Sequence, residues 1–167
     1  MDRRRGIACA LLVGIATLMM RVGAQEAPKT LLIGGNVTTP VTLAPADLRT
    51  MPRTTVSTEE EGRTVTYEGV LVAELLRRAG VPLGADLRGN AVASYVVVRG
   101  ADGYKAVFAL PELDPAFTDS QVIVADSIDG KPLFGYQGPL RLVAPKDRRA
   151  ARGVRMLERI DVVRLPK

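Results

Sequence analysis

The 167-residue chain has no histidine, no tryptophan and one cysteine, Cys9. From Gln25 onward it offers neither thiol nor imidazole, the usual soft ligands of a redox metal. The same absence excludes a disulfide within residues 25–167, so stability there has to come from packing. Aromatic residues are scarce. Four Tyr and three Phe give little surface for stacking bases, which excludes nucleic acid as the expected partner. The long uncharged apolar run, Gly6 to Met20, spans 15 residues and falls short of the ~20 needed to cross a bilayer.

That run reads as part of an export signal. Arg3, Arg4 and Arg5 precede it, and Val22-Gly23-Ala24 follows it as a small-residue cleavage site before Gln25. Residues 1–24 are therefore expected to be removed, leaving a periplasmic chain, 25–167, that does not span the membrane. Cys9 precedes the core of the apolar run and is poorly placed for lipid attachment. The adjacent arginines invite a twin-arginine reading, which Gly6-Ile7-Ala8 supports poorly. The remaining 143 residues suffice for one domain with its own core. Removing residues 1–24 takes away four basic groups and one acidic group, so the formal charge falls from +5 to +2. Residues 25–140 carry ten basic and fourteen acidic groups, whereas 141–167 carry nine and three. The C-terminal part is the part that wants an anion.

Short strands dominate the pattern. Leu31 to Gly35 and Val41 to Leu43 read as strands, with a helical turn over Ala44 to Met51 that tolerates Pro45 near its start. Thr54 to Ser57 and Arg63 to Tyr67 alternate as strands, and Glu59-Glu60-Glu61-Gly62 between them reads as a solvated hairpin turn. Val70 to Ala79 is the clearest helix: Leu71, Leu75, Leu76 and Ala79 share a face, and Gly80 is placed to end it. Ser94 to Arg99 and Tyr104 to Ala109 form a hairpin around Asp102-Gly103. Leu110 to Phe117 reads as a short helix or turn. Gln121 to Asp126, Leu140 to Ala144 and Val154 to Leu165 complete the strands, the last with a break near Glu158. With one confident helix among many strands, the expected class is α+β, a single mixed domain.

The stretch from Gln137 to Arg155 carries the most chemistry. Arg141 sits on an apolar strand that Pro145 ends, and Lys146, Arg148, Arg149, Arg152 and Arg155 follow within ten residues. An arginine on such a strand beside a basic, glycine-containing loop suits a phosphate or another anion. The alternatives are a structural ion pair for Arg141 and a solvated face for the run.

Several segments, in order, resemble the molybdopterin-binding domain of the sulfite oxidase family. They are Tyr67-Glu68-Gly69-Val70-Leu71 leading into Leu75 to Val81, then Asp102-Gly103-Tyr104. Next come Val124-Ala125 with Asp129-Gly130-Lys131-Pro132-Leu133, then Gly138-Pro139-Leu140-Arg141-Leu142-Val143-Ala144-Pro145, and finally Gly153 to Ile160. The resemblance implies a mixed fold in which a pterin with a phosphate tail lies in a cleft. It implies that Arg141, Arg152 and Arg155 hold that tail. The departures are informative. The family takes its molybdenum ligand from a cysteine, whereas Thr54 to Glu68 offers only Ser, Thr and Glu. Asp126, Gln137 and Met156 stand where the family has a tyrosine, a histidine and a tryptophan.

A hydroxyl or carboxylate is not equivalent to a thiolate, so oxo transfer at molybdenum is not expected. What survives is a pterin pocket, with pterin free of metal expected ahead of the molybdopterin cofactor. The amino and ring N–H donors of a pterin pair with a carboxylate, for which Asp126 is preferred over Asp119. Tyr104 or Tyr136 would stack on the ring or cap it. The resemblance thus implies an exported, non-enzymatic pterin-binding protein. It also implies a partner, the periplasmic domain of a membrane-bound signalling enzyme of the cyclic di-GMP type. Two alternatives stand beside this reading. One is an oxidoreductase that keeps the molybdenum cofactor through its phosphate and pterin. The other is an interaction module with an empty pocket, docking an acidic partner on its basic C-terminal face.

Overall fold

Alternation of apolar and polar residues lays down two five-stranded sheets over one shared core. The computed structural model describes residues 30–166, so the expected signal segment, 1–24, lies outside the described residues. The strands are β1 (Leu31–Gly35), β2 (Val41–Leu43), β3 (Thr54–Glu60), β4 (Arg63–Leu71), β5 (Tyr95–Gly100), β6 (Lys105–Ala109), β7 (Ile123–Ile128), β8 (Lys131–Pro132), β9 (Arg141–Val143) and β10 (Leu157–Val163). The first sheet runs β2-β1-β10-β5-β6, with β1 and β10 parallel. The second runs β3-β4-β7-β8, and β9 pairs with the other half of β7.

The first sheet buries one face only. β6, with burial alternating along Lys105–Ala109, turns Ala106 and Phe108 inward and Lys105 and Val107 to solvent. The second sheet is buried on both faces along β9, the first part of β7 and the end of β4. Val70, Val124 and Leu142 join the large core shared with the first sheet, while Val65, Tyr67, Ile123, Ala125 and Val143 form a smaller cluster behind it. β9 is buried at all three positions. Its Arg141 points to the smaller cluster's side, where it meets Tyr67.

The helices are α1 (Pro45–Leu48) and α2 (Val72–Arg78). Leu75 and Leu76 are fully buried in the shared core, each worth about 1.5–3 kcal/mol of apolar transfer. Gly80 ends α2 at φ 73°, a conformation that costs glycine nothing. The Val81 N–H then closes the end on the Leu76 carbonyl at 3.0 Å. With two α-helices of four and seven residues and five 3-10 turns among the described residues, sheet dominates and the α+β label holds only coarsely.

Several boundaries differ from the sequence expectation, because pairing with a neighbour and not the apolar pattern sets where a strand starts and stops. β3 continues through Glu59 and Glu60, so the hairpin tip is Glu61-Gly62 alone. β4 runs on to Leu71 and takes Val70 and Leu71 from the helix, which starts without a side-chain cap. β7 starts later and ends later, at Ile128. β10 is continuous past Glu158, with a bulge between Leu157 and Arg159 where a break was expected.

Candidate functional site

The two sheets leave a cavity of about 250 Å³ lined by Asp102, Tyr104, Arg141, Ala150, Ala151, Gly153 and Arg155. Its parts come from the β5–β6 turn, from β9 and from the loop that follows β9. The turn is pressed against that loop. The Ala101 N–H bonds to the Met156 carbonyl at 2.9 Å. A Cβ at Gly100 would lie 2.5 Å from the Arg155 carbonyl oxygen, so only glycine permits the approach. Asp102 accepts the Tyr104 N–H at 2.9 Å, and the Tyr104 hydroxyl donates across the cavity to the Ala151 carbonyl. Asp102 thus has the turn role its Asp-Gly context suggests and also faces the cavity.

Arg141 forms the inner wall. It is nearly fully buried, and its Nη2 meets Glu60 Oε1 at 2.7 Å. Nη1 donates to Gln137 Oε1 at 2.9 Å and to the Tyr67 hydroxyl, and the guanidinium also lies over the Tyr67 ring. Nε is buried without a partner. The Tyr67 hydroxyl donates in turn to Glu60 at 3.0 Å. Burial pushes the Tyr67 phenol up to about 12, against the opposing charge of Arg141 and with help from the bond to Glu60.

Arg155 is different. It is exposed, stacks on the Tyr136 ring at 5.1 Å, and has no carboxylate within salt-bridge reach among the described residues. Of the six expected ligand residues, the structure therefore brings Arg141, Arg155 and Tyr104 into one cavity, while Tyr136 stacks on Arg155 without lining it.

Arg152 and Asp126 are not brought there. Arg152 makes a two-pronged pair with Asp147 at 2.8 and 2.7 Å, reaches Glu112 at 3.1 Å and stacks on Phe108. These carboxylates hold its guanidinium more firmly protonated than usual. It lines a separate hollow with Phe108, Phe117 and Lys146, so its charge is spent on the fold. Asp126 is the bulged residue of β7, unmatched between Ala125 and Ser127 in the ladder with β4. The bulge aims its carboxylate at Arg53, at 2.6 and 3.0 Å, in a hollow shared with Arg49 and Glu68 and with none of the cavity residues. The Arg53 Nε also bonds Glu68 at 2.9 Å, and both carboxylates raise the Arg53 pKa. Asp119, the second acid considered, is exposed and paired with Lys146, which lowers its pKa.

Sequence reasoning missed Glu60, Tyr67, Gln137 and Asp102 as site groups. The alternation of β3 was the available signal for Glu60: carrying the inward positions Val56 and Thr58 one step further reaches it.

Among the described residues, no group of three or more His, Cys, Asp or Glu side chains is arranged to hold a metal ion. A family model described as "Oxidoreductase molybdopterin binding domain" matches residues 21–167. Among solved structures, the chain is similar to the sulfane dehydrogenase SoxCD from Paracoccus pantotrophus, with a TM-score of 0.60 and 22% identity. That match covers 80% of this chain and 37% of the other, so it describes a shared fold over a little more than a third of the longer protein. No curated protein matches the chain.

Proposed function

The chain belongs to the oxidoreductase molybdopterin-binding domain family, and from that premise we propose that it is an exported, non-enzymatic protein that binds a metal-free pterin. The observation carrying this reading is the cavity, where an acid, a tyrosine and a carboxylate-free arginine converge while no thiol is at hand. The two ends of the family's cofactor fit these residues differently. Its molybdenum end does not fit: residues 25–167 contain no Cys or His, and hydroxyl or carboxylate donors are poor substitutes for a thiolate.

Its pterin end does fit. Asp102 uses Oδ1 for the Tyr104 N–H and keeps a second oxygen for the N–H donors of a pterin edge. This is the role first expected of Asp126. Tyr104 offers a ring face, and Arg155 offers a charge for an anionic group. The cavity, about 250 Å³, is just under the ~300–1,000 Å³ usual for small-molecule sites. It suits one bicyclic ring with a short arm.

Export rests on the Arg3–Arg5, apolar and Ala24 pattern of the first residues. In the periplasm a pterin binder of this kind would report ligand to a membrane-bound signalling enzyme of the cyclic di-GMP type. Family membership equally favours an oxidoreductase that keeps the molybdenum cofactor by its pterin and phosphate alone. Mass spectrometry of released ligand, combined with elemental analysis of the purified protein, separates the two. The first reading expects pterin with background molybdenum. Stoichiometric molybdenum would overturn it.

A further inference from the structure

Arg141 is the most buried cation beside the cavity, yet three of its five N–H donors are already taken within the chain. Glu60 Oε1 takes one Nη2 N–H, Gln137 Oε1 and the Tyr67 hydroxyl take both of Nη1, and Nε has no partner at all. Glu60 and Arg141 are both shielded, with side-chain exposures of 20% and 5%. Each charge therefore cancels the other at short range with little solvent screening. The cations and anions facing the cavity then reduce to Arg155 and Asp102. Asp102 opposes an approaching anion, and Arg155 attracts one.

We propose that Glu60 is a built-in counter-ion that withholds Arg141 from the ligand, so that the cavity takes pterins whose side arm is uncharged or singly anionic and discriminates against phosphate esters. The proposal rests on the pterin reading and narrows it to a ligand class. A phosphate monoester carries about −1.5 to −2 charges at neutral pH. It needs a second cation beyond Arg155, and the candidate is held by Glu60. Removing that carboxylate's charge releases Arg141 toward the cavity, where its two-pronged geometry suits phosphate. The hairpin that was expected to be a solvated acidic turn is thereby the part of the chain that sets ligand charge.

The test compares neopterin with neopterin monophosphate on wild type and Glu60→Gln, by pterin fluorescence titration. Wild type should favour neopterin, and Glu60→Gln should shift the preference toward the monophosphate by about tenfold or more, the scale of a charge-assisted bond. An unchanged preference in a folded Glu60→Gln overturns the proposal, as does a wild type that already prefers the monophosphate tenfold. If wild type binds neither pterin, the pterin reading fails by itself. The counter-ion is then judged by thermal melting in inorganic phosphate, which should raise the midpoint of Glu60→Gln and leave wild type unmoved. If Glu60→Gln does not fold without an anion, refolding in phosphate decides: recovery supports the counter-ion role and continued failure contradicts it. The double variant Glu60→Gln/Arg141→Gln should lose the phosphate response. A response that persists there places the anion elsewhere and overturns the proposal.

Discussion

Two arginine–carboxylate assemblies sit on the second sheet, and they are built for different ends. Around Arg53 two carboxylates close on one guanidinium, so that Asp126 and Glu68 together use Nε, Nη1 and Nη2. Around Arg141 there is one carboxylate, a phenol and an amide, with Nε left over and a cavity alongside. The first is satisfied and partly open to water. The second is buried, electrically balanced and incomplete in its hydrogen bonds. The first fastens β7 to the segment before β3, whereas the second, neutralised by Glu60, leaves the charge facing the cavity to Arg155 and Asp102.

The comparison is broken most directly by truncation. Glu60→Ala strands a buried guanidinium and should cost about 3 kcal/mol in urea unfolding, the lower end of what breaking a buried pair costs. Asp126→Ala should cost less, about 1–2 kcal/mol, because Arg53 keeps Glu68 and access to water. Equal losses would mean that the two assemblies do not differ in burial as described.

A smaller effect sharpens the contrast through pH. The folded Tyr67 value, about 12, lies above the ordinary ~10 of a free phenol. Its neutral form therefore contributes stability that is complete below about pH 10 and is lost as pH rises through about 12. Urea midpoints of Tyr67→Phe should fall less steeply across that alkaline window than those of wild type. Parallel curves would show that folding does not raise the phenol's pKa and that its burial does not hold it neutral.

Much of this architecture was legible in the chain. The β5–β6 hairpin, the Gly80 helix end and the β9 strand with its single charge all follow from local pattern and turn chemistry. Long-range pairing was not legible. Arg152 draws one carboxylate, Asp147, from five residues away and another, Glu112, from 40, and no local pattern tells that it and not Arg155 takes them. Asp126 looked like an active-site acid by position, yet a one-residue bulge in β7 sends it to Arg53. Glu60 looked solvated because it sits in a run of three glutamates, a composition that hides the strand alternation underneath. The site's ring-facing groups were foreseen better than its charges, since a strand fixes direction locally while charge balance is settled across the fold.

The central claim is that the pterin site is the Arg155–Asp102–Tyr104 cavity and not the hollow around Asp126. Neopterin fluorescence titration of Arg155→Ala and Asp126→Asn, side by side with wild type, tests it most directly. Neopterin binding should weaken about tenfold in Arg155→Ala, as expected for losing a charge-assisted hydrogen bond from the guanidinium to a hydroxyl of its arm. It should stay within about twofold of wild type in Asp126→Asn, whose partner Arg53 lies outside the cavity. The reverse pattern, with Asp126→Asn weakened and Arg155→Ala unchanged, would contradict the account.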